Sequence, residues 1–245
     1  MQTEYAKYLL EKTRKDYDLV SREFSRTREK PWPELGFLFR DVEKGEQVLD
    51  LGCGNGRYFD FLKDKDVKYQ GVDFSKALID LAKEKYPQAD FLAADAFNLP
   101  FSDNFFDKIY SIAVFHHIPS TELRLEFLKE AKRVLKPGGK IILTVWKFGS
   151  GKRSFLMAKN FFLKLFGLSN LDPGDALEPW FEKGERYYHL FSKEELAYSA
   201  KRAGFKIKEA GVVRSEKGFR QNIYFIAQKP AASIDYVVDN LGKKH

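Results

Sequence analysis

The chain lacks the residues that would tie it to an oxidising compartment or a metal. Cys53 is the one cysteine among 245 residues, so no internal disulfide can form, and four scattered histidines do not make a zinc-ligand cluster. No apolar run approaches the roughly 18 residues of a membrane span, and the polar start MQTEYAKY has no signal-peptide character. A reducing cytoplasm is the expected setting, with no metal and no membrane partner. Acidic residues are also the minority, 35 against 42 Lys plus Arg, for a formal net charge of +7. A basic balance suits an anionic partner, nucleic acid foremost, yet many proteins this basic bind nothing acidic.

What is present is a chain 44% hydrophobic and 31% charged, enough to bury a sizeable core in one domain with appendages. Its organising stretch is QVLDLGCGNGRY, Gln47 to Tyr58. Val48, Leu49 and Leu51 read as a strand covered on both faces. Asp50 follows within it, then Gly52, Gly54 and Gly56 at alternate positions before a helical segment expected over about Arg57 to Lys63. Glycines so spaced allow a tight turn and let backbone approach a ligand with no Cβ in the way.

The rest alternates strand and helix. Tyr69 to Asp73 is a second strand ending in an acid about 20 residues past the glycines, where a carboxylate takes the ribose hydroxyls of a nucleoside. Ser75 caps a helix through Lys85. Ala89 to Ala94 form a third strand, followed by Asp95 and Ala96, where an acid can address an adenine amino group. Phe106 to Ile112, a helix from Ser120 to Leu135, the stop signal Lys136-Pro137-Gly138-Gly139 and a strand from Lys140 to Trp146 complete the pattern. Such alternation predicts an α/β, Rossmann-like fold with ligands at the carboxyl ends of the strands.

Residues 147–185 loosen into an insertion, a candidate lid, with a joint at Gly149, Ser150 and Gly151 and a short helix over Ser154 to Phe166. Ser192 caps a helix to Ala203, and Phe205 to Val213 with Gln221 to Gln228 form a closing pair of strands. One domain is expected: 1–40 a helical cap over the site, 47–146 the cofactor-binding core, 147–185 the insertion, 186–229 the closing helix and strands, and 230–245 a partly ordered tail.

The order of Asp50 to Gly56, Asp73, Asp95-Ala96 and the Leu135 to Gly139 turn resembles the class I S-adenosylmethionine-dependent methyltransferases over nearly the whole chain. The narrower segments FSRTREKPWP, SIAVFHHIPSTELR and ERYYHLF are similar to the tRNA wobble-uridine carboxymethyl methyltransferases, including the methyltransferase domain fused to an AlkB-type oxygenase. Two stretches depart from that family: the insertion between Trp146 and Arg186, and Lys217 to Asn222, which stands where an aromatic segment is expected.

The resemblance implies a seven-stranded, mostly parallel sheet with helices on both faces. It also implies S-adenosyl-L-methionine as cofactor, the anticodon loop of tRNA as partner and, in some members, a small activator subunit. The expected product is the methyl ester of 5-carboxymethyluridine; a small-molecule acceptor such as a quinone precursor or organic acid is the alternative. Expected cofactor contacts are Tyr17, Asp50, Gly52, Gly54, Gly56, Asp73, Phe74, Asp95, Ala96 and Ile112. Arg28, His116 and Arg186 are the candidate catalytic residues. The arginines suit an acceptor carboxylate because a guanidinium fork holds both its oxygens. Trp32, His117, Tyr187, Tyr188 and His189 are candidate substrate contacts, the aromatics for stacking on a splayed base. Trp32 equally suits core packing, and one of the two adjacent histidines equally suits a strand cap. Lys152, Arg153, Lys159 and Lys164 on the insertion would meet phosphates or form a solvated face.

Overall fold

A computed structural model describes residues 1–181, 184–216, 218 and 220–231. Most of the expected tail, and Lys217 and Phe219 of the divergent segment, lie outside the described residues. Fifteen regular elements follow in chain order. They begin with α1 (Thr3–Leu19), α2 (Ser21–Thr27), β1 (Gln47–Leu51), β2 (Lys68–Asp73), α3 (Lys76–Lys85), β3 (Asp90–Ala93), β4 (Phe106–Ile112) and α4 (Thr121–Val134). Then come β5 (Leu135–Trp146), α5 (Ser150–Leu165), β6 (Asp175–Trp180), β7 (Gly184–His189), α6 (Lys193–Arg202), β8 (Lys206–Arg214) and β9 (Gln221–Gln228).

The main sheet has seven strands in the order β3-β2-β1-β4-β5-β9-β8. The first five run parallel, and β9 and β8 close the edge antiparallel. The period-two pleat divides the core. Ile141, Leu143 and Val145 join Phe127, Leu128 and Ala131 of α4 and Leu196 and Ala200 of α6 in one cluster. Ile142, with Val48 and Tyr110, packs on the other face against Ile79 and Ala82 of α3 and Leu35 and Phe39. Because β1, β2 and β4 are parallel, their carboxyl ends at Leu51, Asp73 and Ile112 lie together, and the site is built there.

Several expected elements differ in detail. The helix after the glycine loop is a single 3₁₀ stretch, Arg57–Phe61. At the N-terminus the chain leaves helix at Val20, whose φ/ψ of −104°/12° is not helical, and this separates α1 from α2. The Lys136 to Gly139 turn is absorbed into an irregular start of β5, with a register shift between Phe106 and Lys108 on its partner. The insertion holds more structure than its composition suggested. Its helix starts at Ser150, and β6 pairs with β7 in a separate two-stranded hairpin, Glu178 opposite Arg186. Arg186 to His189 is therefore the return strand of that hairpin and not the start of the closing segment. Among the described residues no helix is long and apolar enough to cross a membrane.

Candidate functional site: a cationic cavity above the glycine loop

Gly52, Gly54 and Gly56 adopt φ of 82°, 57° and 74°, the left-handed region that penalises any Cβ. At Gly52 a Cβ would also come within 2.4 Å of the Val114 side chain. The turn is fastened from below, where Gly52 and Cys53 donate their N–H groups to the Val72 carbonyl at 2.7 and 2.9 Å. Asp73, at the end of β2, fastens it from the side by accepting the Gly54 N–H on Oδ2 and the Ser75 N–H on Oδ1, both at 2.9 Å. Burial raises the Asp73 carboxyl to about 6, still leaving it largely ionised at neutral pH.

Above this loop lies a cavity with about 710 Å³ of empty space, counting its mouth to solvent. Its floor is Gly52 to Asn55 with Asp73 and Phe74, joined by Ile112 at the end of β4 and by Ala113 and Val114 just past it. Ala113 holds φ at 59°, an uncommon conformation for a residue with a side chain. Its N–H donates to the Thr144 hydroxyl at 3.0 Å, which ties the turn to β5. The roof comes from the N-terminus and the hairpin. Tyr17 of α1 packs edge-on against Trp180 of β6 at 4.8 Å, Phe24 of α2 at 5.5 Å and His117 at 5.7 Å. Asn55 pins the floor to α2 by donating to Ser25 Oγ and the Arg28 carbonyl at 3.0 and 3.1 Å.

Three guanidiniums converge on this cavity: Arg28, Arg57 and Arg186. None has a carboxylate in salt-bridge range among the described residues. Arg57 is 6% exposed and its Nη1 has no partner; it lies 4.7 Å from the Trp32 ring and 4.8 Å from Tyr58. Arg186 Nε is likewise unpartnered, with the guanidinium 4.6 Å from the Trp146 ring and 5.3 Å from Trp180. Burial, reinforced by Arg57 and Arg186 nearby, lowers Arg28 to about 10, so it stays charged at neutral pH. Aromatic faces offset part of the cost of removing such cations from water, but a buried guanidinium without an anion remains expensive. Among the described residues Asp73 is the one acid in the cavity wall, so the arrangement suits anionic groups brought in by ligands.

His117 is held from both sides. Its Nδ1 lies 2.7 Å from the Tyr187 carbonyl, an acceptor only, so Nδ1 carries the proton and donates. Nε2 therefore accepts from the Tyr17 hydroxyl at 3.1 Å. Burial lowers this imidazole to about 3, and it is neutral throughout the physiological range.

Of the residues singled out in sequence, Tyr17, Arg28, Trp32, Gly52, Gly54, Asp73, Phe74, Ile112, His117 and Arg186 line the cavity. Others do not. Asp50 lies beneath the loop, 1% exposed, accepting the Tyr69 hydroxyl at 3.1 Å on Oδ2 while Oδ1 has no partner. Gly56 serves the turn, donating its N–H to Cys53. Asp95 and Ala96 border a separate groove under α1, which shares Phe74 with the cavity. His116 is fully buried, its ring 4.2 Å from those of His117 and Trp146 and both nitrogens unpartnered. Burial holds it far below the usual histidine range.

The expected stacking role of Tyr187 and Tyr188 meets a physical obstacle, since they are 1% and 0% exposed. Tyr187 donates its hydroxyl to Asp175 at 2.7 Å, and His189 lies between Asp175 and Glu195 at 2.7 Å from each. Tyr188 is stacked on Phe148 at 5.2 Å. These three residues hold the hairpin together. Trp32 has the Arg57 and Arg220 guanidiniums over its ring, at 4.7 and 5.1 Å, which leaves little ring face for a base. Arg57, Asn55, Phe24 and Trp146 are wall residues that sequence reasoning passed over. For Arg57 a signal existed: a cation in the first turn of a helical segment opposes the backbone dipole, a cost a ligand can offset.

Residues 49–143 match the family model described as "Methyltransferase domain". The chain is 31% identical over 236 residues to the tRNA (carboxymethyluridine(34)-5-O)-methyltransferase of Schizosaccharomyces pombe, covering 87% of this chain and 94% of that one. It is 37% identical over 163 residues to the corresponding Xenopus tropicalis enzyme, covering 66% of this chain and 25% of the relative. The chain thus spans about a quarter of the length of that animal protein. Among solved structures, an S-adenosylmethionine-dependent methyltransferase of Methanosarcina mazei superposes with a TM-score of 0.67 at 25% identity, over 82% of this chain and 99% of the other. A methyltransferase of Haloferax volcanii, solved in complex with the Trm112 methyltransferase activator, shares the fold with a TM-score of 0.67 at 18% identity, over 89% and 97%. With the glycine loop, the strand-end acid and this extent of likeness together, the chain belongs to the tRNA (carboxymethyluridine(34)-5-O)-methyltransferase family of S-adenosylmethionine-dependent enzymes.

Proposed function

We propose that this chain transfers the methyl group of S-adenosylmethionine to the carboxylate of 5-carboxymethyluridine at the tRNA wobble position, forming a methyl ester. The observation that carries this reading is the convergence on the cavity above the glycine loop of three guanidiniums that have no carboxylate partner among the described residues. The cofactor brings one carboxylate of its own. Three cations provide for a second anion, which a carboxymethylated uridine supplies.

The residues suit the cofactor. Asp73 presents a buried, largely ionised carboxylate beside the loop, where ribose hydroxyls donate to it, and the unpartnered Arg57 Nη1 suits the α-carboxylate. Bound there, S-adenosylmethionine supplies an electrophilic methyl group. The protein's part is to place the acceptor in line with it, which is largely a matter of position. Arg28 and Arg186 hold the acceptor carboxylate, each with two donors to offer. Roof residues Tyr17, Phe24 and Trp180 exclude water from the reacting pair.

A carboxylate with a pKa near 4 is ionised at neutral pH and attacks without losing a proton. His117 agrees with this, because its one free lone pair already accepts from Tyr17. The turnover number is therefore expected to vary less than about twofold between pH 6.5 and 9. A kcat rising about tenfold per pH unit through 6 to 7 would reveal a general base and contradict the scheme. A small activator subunit, of the kind solved with the Haloferax volcanii protein, and a cytoplasmic location are proposed with this function.

The test is transfer of labelled methyl from the cofactor to tRNA carrying 5-carboxymethyluridine at position 34. Label on a small organic acid, with none on tRNA, would favour the alternative of a small-molecule methyltransferase.

A further inference from the structure

The surface of α5 is unlike the rest of the molecule. From Lys147 to Leu171 the sequence holds no Asp or Glu, but five cations: Lys147, Lys152, Arg153, Lys159 and Lys164. The inner face of the helix turns Leu156 against the buried cluster of Ala176, Tyr188 and Leu190, and Asn160 donates to the Asp175 carbonyl at 2.8 Å. The outer face is also apolar. Phe155 is 67% exposed, Phe162 57%, Leu165 67% and Phe166 72%. A helix apolar on both faces is ordinarily covered on both.

We propose that this outer face is a docking surface for an unpaired stretch of RNA, with Phe155, Phe162 and Phe166 stacking on bases and Lys159 meeting phosphate. The inference rests on the reading of a tRNA acceptor and deepens it, naming where the strand beside the modified nucleotide lies.

Two observations select this occupant. The first is continuity with the cavity. In the opening turn of α5, Lys152 donates to the Tyr188 hydroxyl at 3.0 Å and lies 4.9 Å from the Phe148 ring, and Tyr188 in turn neighbours Arg186 and Trp146 of the cavity wall. From there the helix extends about 24 Å at 1.5 Å per residue. A polynucleotide that places one base in the cavity thus has a path along α5. The second is charge complementarity. The ion pair of Lys152 with Glu178 at 2.8 Å is substantially exposed on both sides, so it is weak and exchangeable for phosphate, whereas Lys164 pairs at 2.6 Å with a half-buried Asp172 that also holds the N-terminal ammonium. Lys159 has no carboxylate in range among the described residues. Aromatic platforms interleaved with cations, on a helix that carries no acid of its own, are how single strands are held without regard to sequence.

The test compares the full chain with the variant Phe155→Ser/Phe162→Ser/Phe166→Ser, whose changes touch only exposed side chains. Binding of a fluorescent anticodon stem-loop is read by anisotropy. The expected result is a Kd raised tenfold or more, with S-adenosylhomocysteine affinity unchanged. With tRNA as acceptor, KM is expected to rise while kcat at saturation holds. A separate Lys159→Gln variant should bind more weakly and show a shallower salt dependence. Equal RNA affinity for the wild type and the triple variant would overturn the proposal, as would an unmodified chain that binds no RNA. So would RNA binding untouched by the triple variant while it abolishes flotation with phosphatidylserine vesicles, or while it dissociates a wild-type dimer. Failure of methyl transfer to tRNA with the anisotropy result intact would strike the acceptor assignment and leave the surface standing.

Discussion

Replacing Arg186 with alanine is expected to lower kcat/KM for the carboxymethylated acceptor by about 10²- to 10³-fold, with cofactor affinity within about twofold of the unmodified chain. The magnitude follows from removing one partner of a charge pair in a water-poor cavity, a loss of roughly 2–5 kcal/mol. Its guanidinium lies over the Trp146 and Trp180 rings, which set its plane and limit its freedom. Arg186→Lys separates charge from geometry, since an ammonium restores attraction without the two-pronged grip. It is expected to recover only a small part of the rate. Steady-state kinetics with isothermal titration of S-adenosylhomocysteine reads both quantities, and an alanine variant turning over at the normal rate would remove Arg186 from the site. A kcat that falls with KM unchanged would place its action in positioning and not in holding the acceptor.

Asp73→Ala is expected to weaken S-adenosylmethionine binding by about 100-fold. A hydrogen bond to an ionised carboxylate is worth roughly 1.5–3 kcal/mol, so 100-fold, about 2.7 kcal/mol, is about the loss of one such ribose bond. Part of the loss comes from the loop itself, because Asp73 also accepts the Gly54 and Ser75 N–H groups. Asp73→Asn, which retains the shape and one acceptor oxygen, is expected to lose less. Titration calorimetry gives both numbers, and an unchanged affinity in the alanine variant would overturn the placement of the ribose. Far-ultraviolet circular dichroism and a melting curve on the same samples separate lost contacts from a lost fold.

The glycine loop and the strand-end acid beneath the cavity were legible in sequence because their causes are local. Alternate glycines signal left-handed backbone wherever they stand, and the three in this loop adopt it. An acid closing the next strand is carried to the same sheet edge by parallel pairing, as Leu51 and Val72 are. The roof and far wall of the cavity were less legible. RYYH reads as one aromatic cluster, yet Arg186 to His189 form a strand, and a strand sends successive side chains to opposite faces. Arg186 therefore reaches the cavity while Tyr187 and His189 turn together to Asp175. His116 and His117 part in the same way within a single 3₁₀ turn. Arg57 escaped notice because its meaning depends on what is absent around it. Its place at the start of a helical segment was a faint cue, and the folded arrangement adds rings on two sides and, among the described residues, no acid in salt-bridge range. The helix of the insertion was foreseen in part, but its pairing with a hairpin depends on β6 and β7 meeting across a turn.

The central claim is that the methyl group goes to a carboxylate oxygen of a modified uridine. The most direct test supplies radiolabelled S-adenosylmethionine and tRNA bearing 5-carboxymethyluridine at position 34, then treats the labelled product with mild alkali. A carboxylate acceptor predicts label on that tRNA, none on the same tRNA lacking the carboxymethyl group, and quantitative release of the label as methanol. Label that survives alkali, on a base carbon, a ring nitrogen or a ribose oxygen, would contradict it.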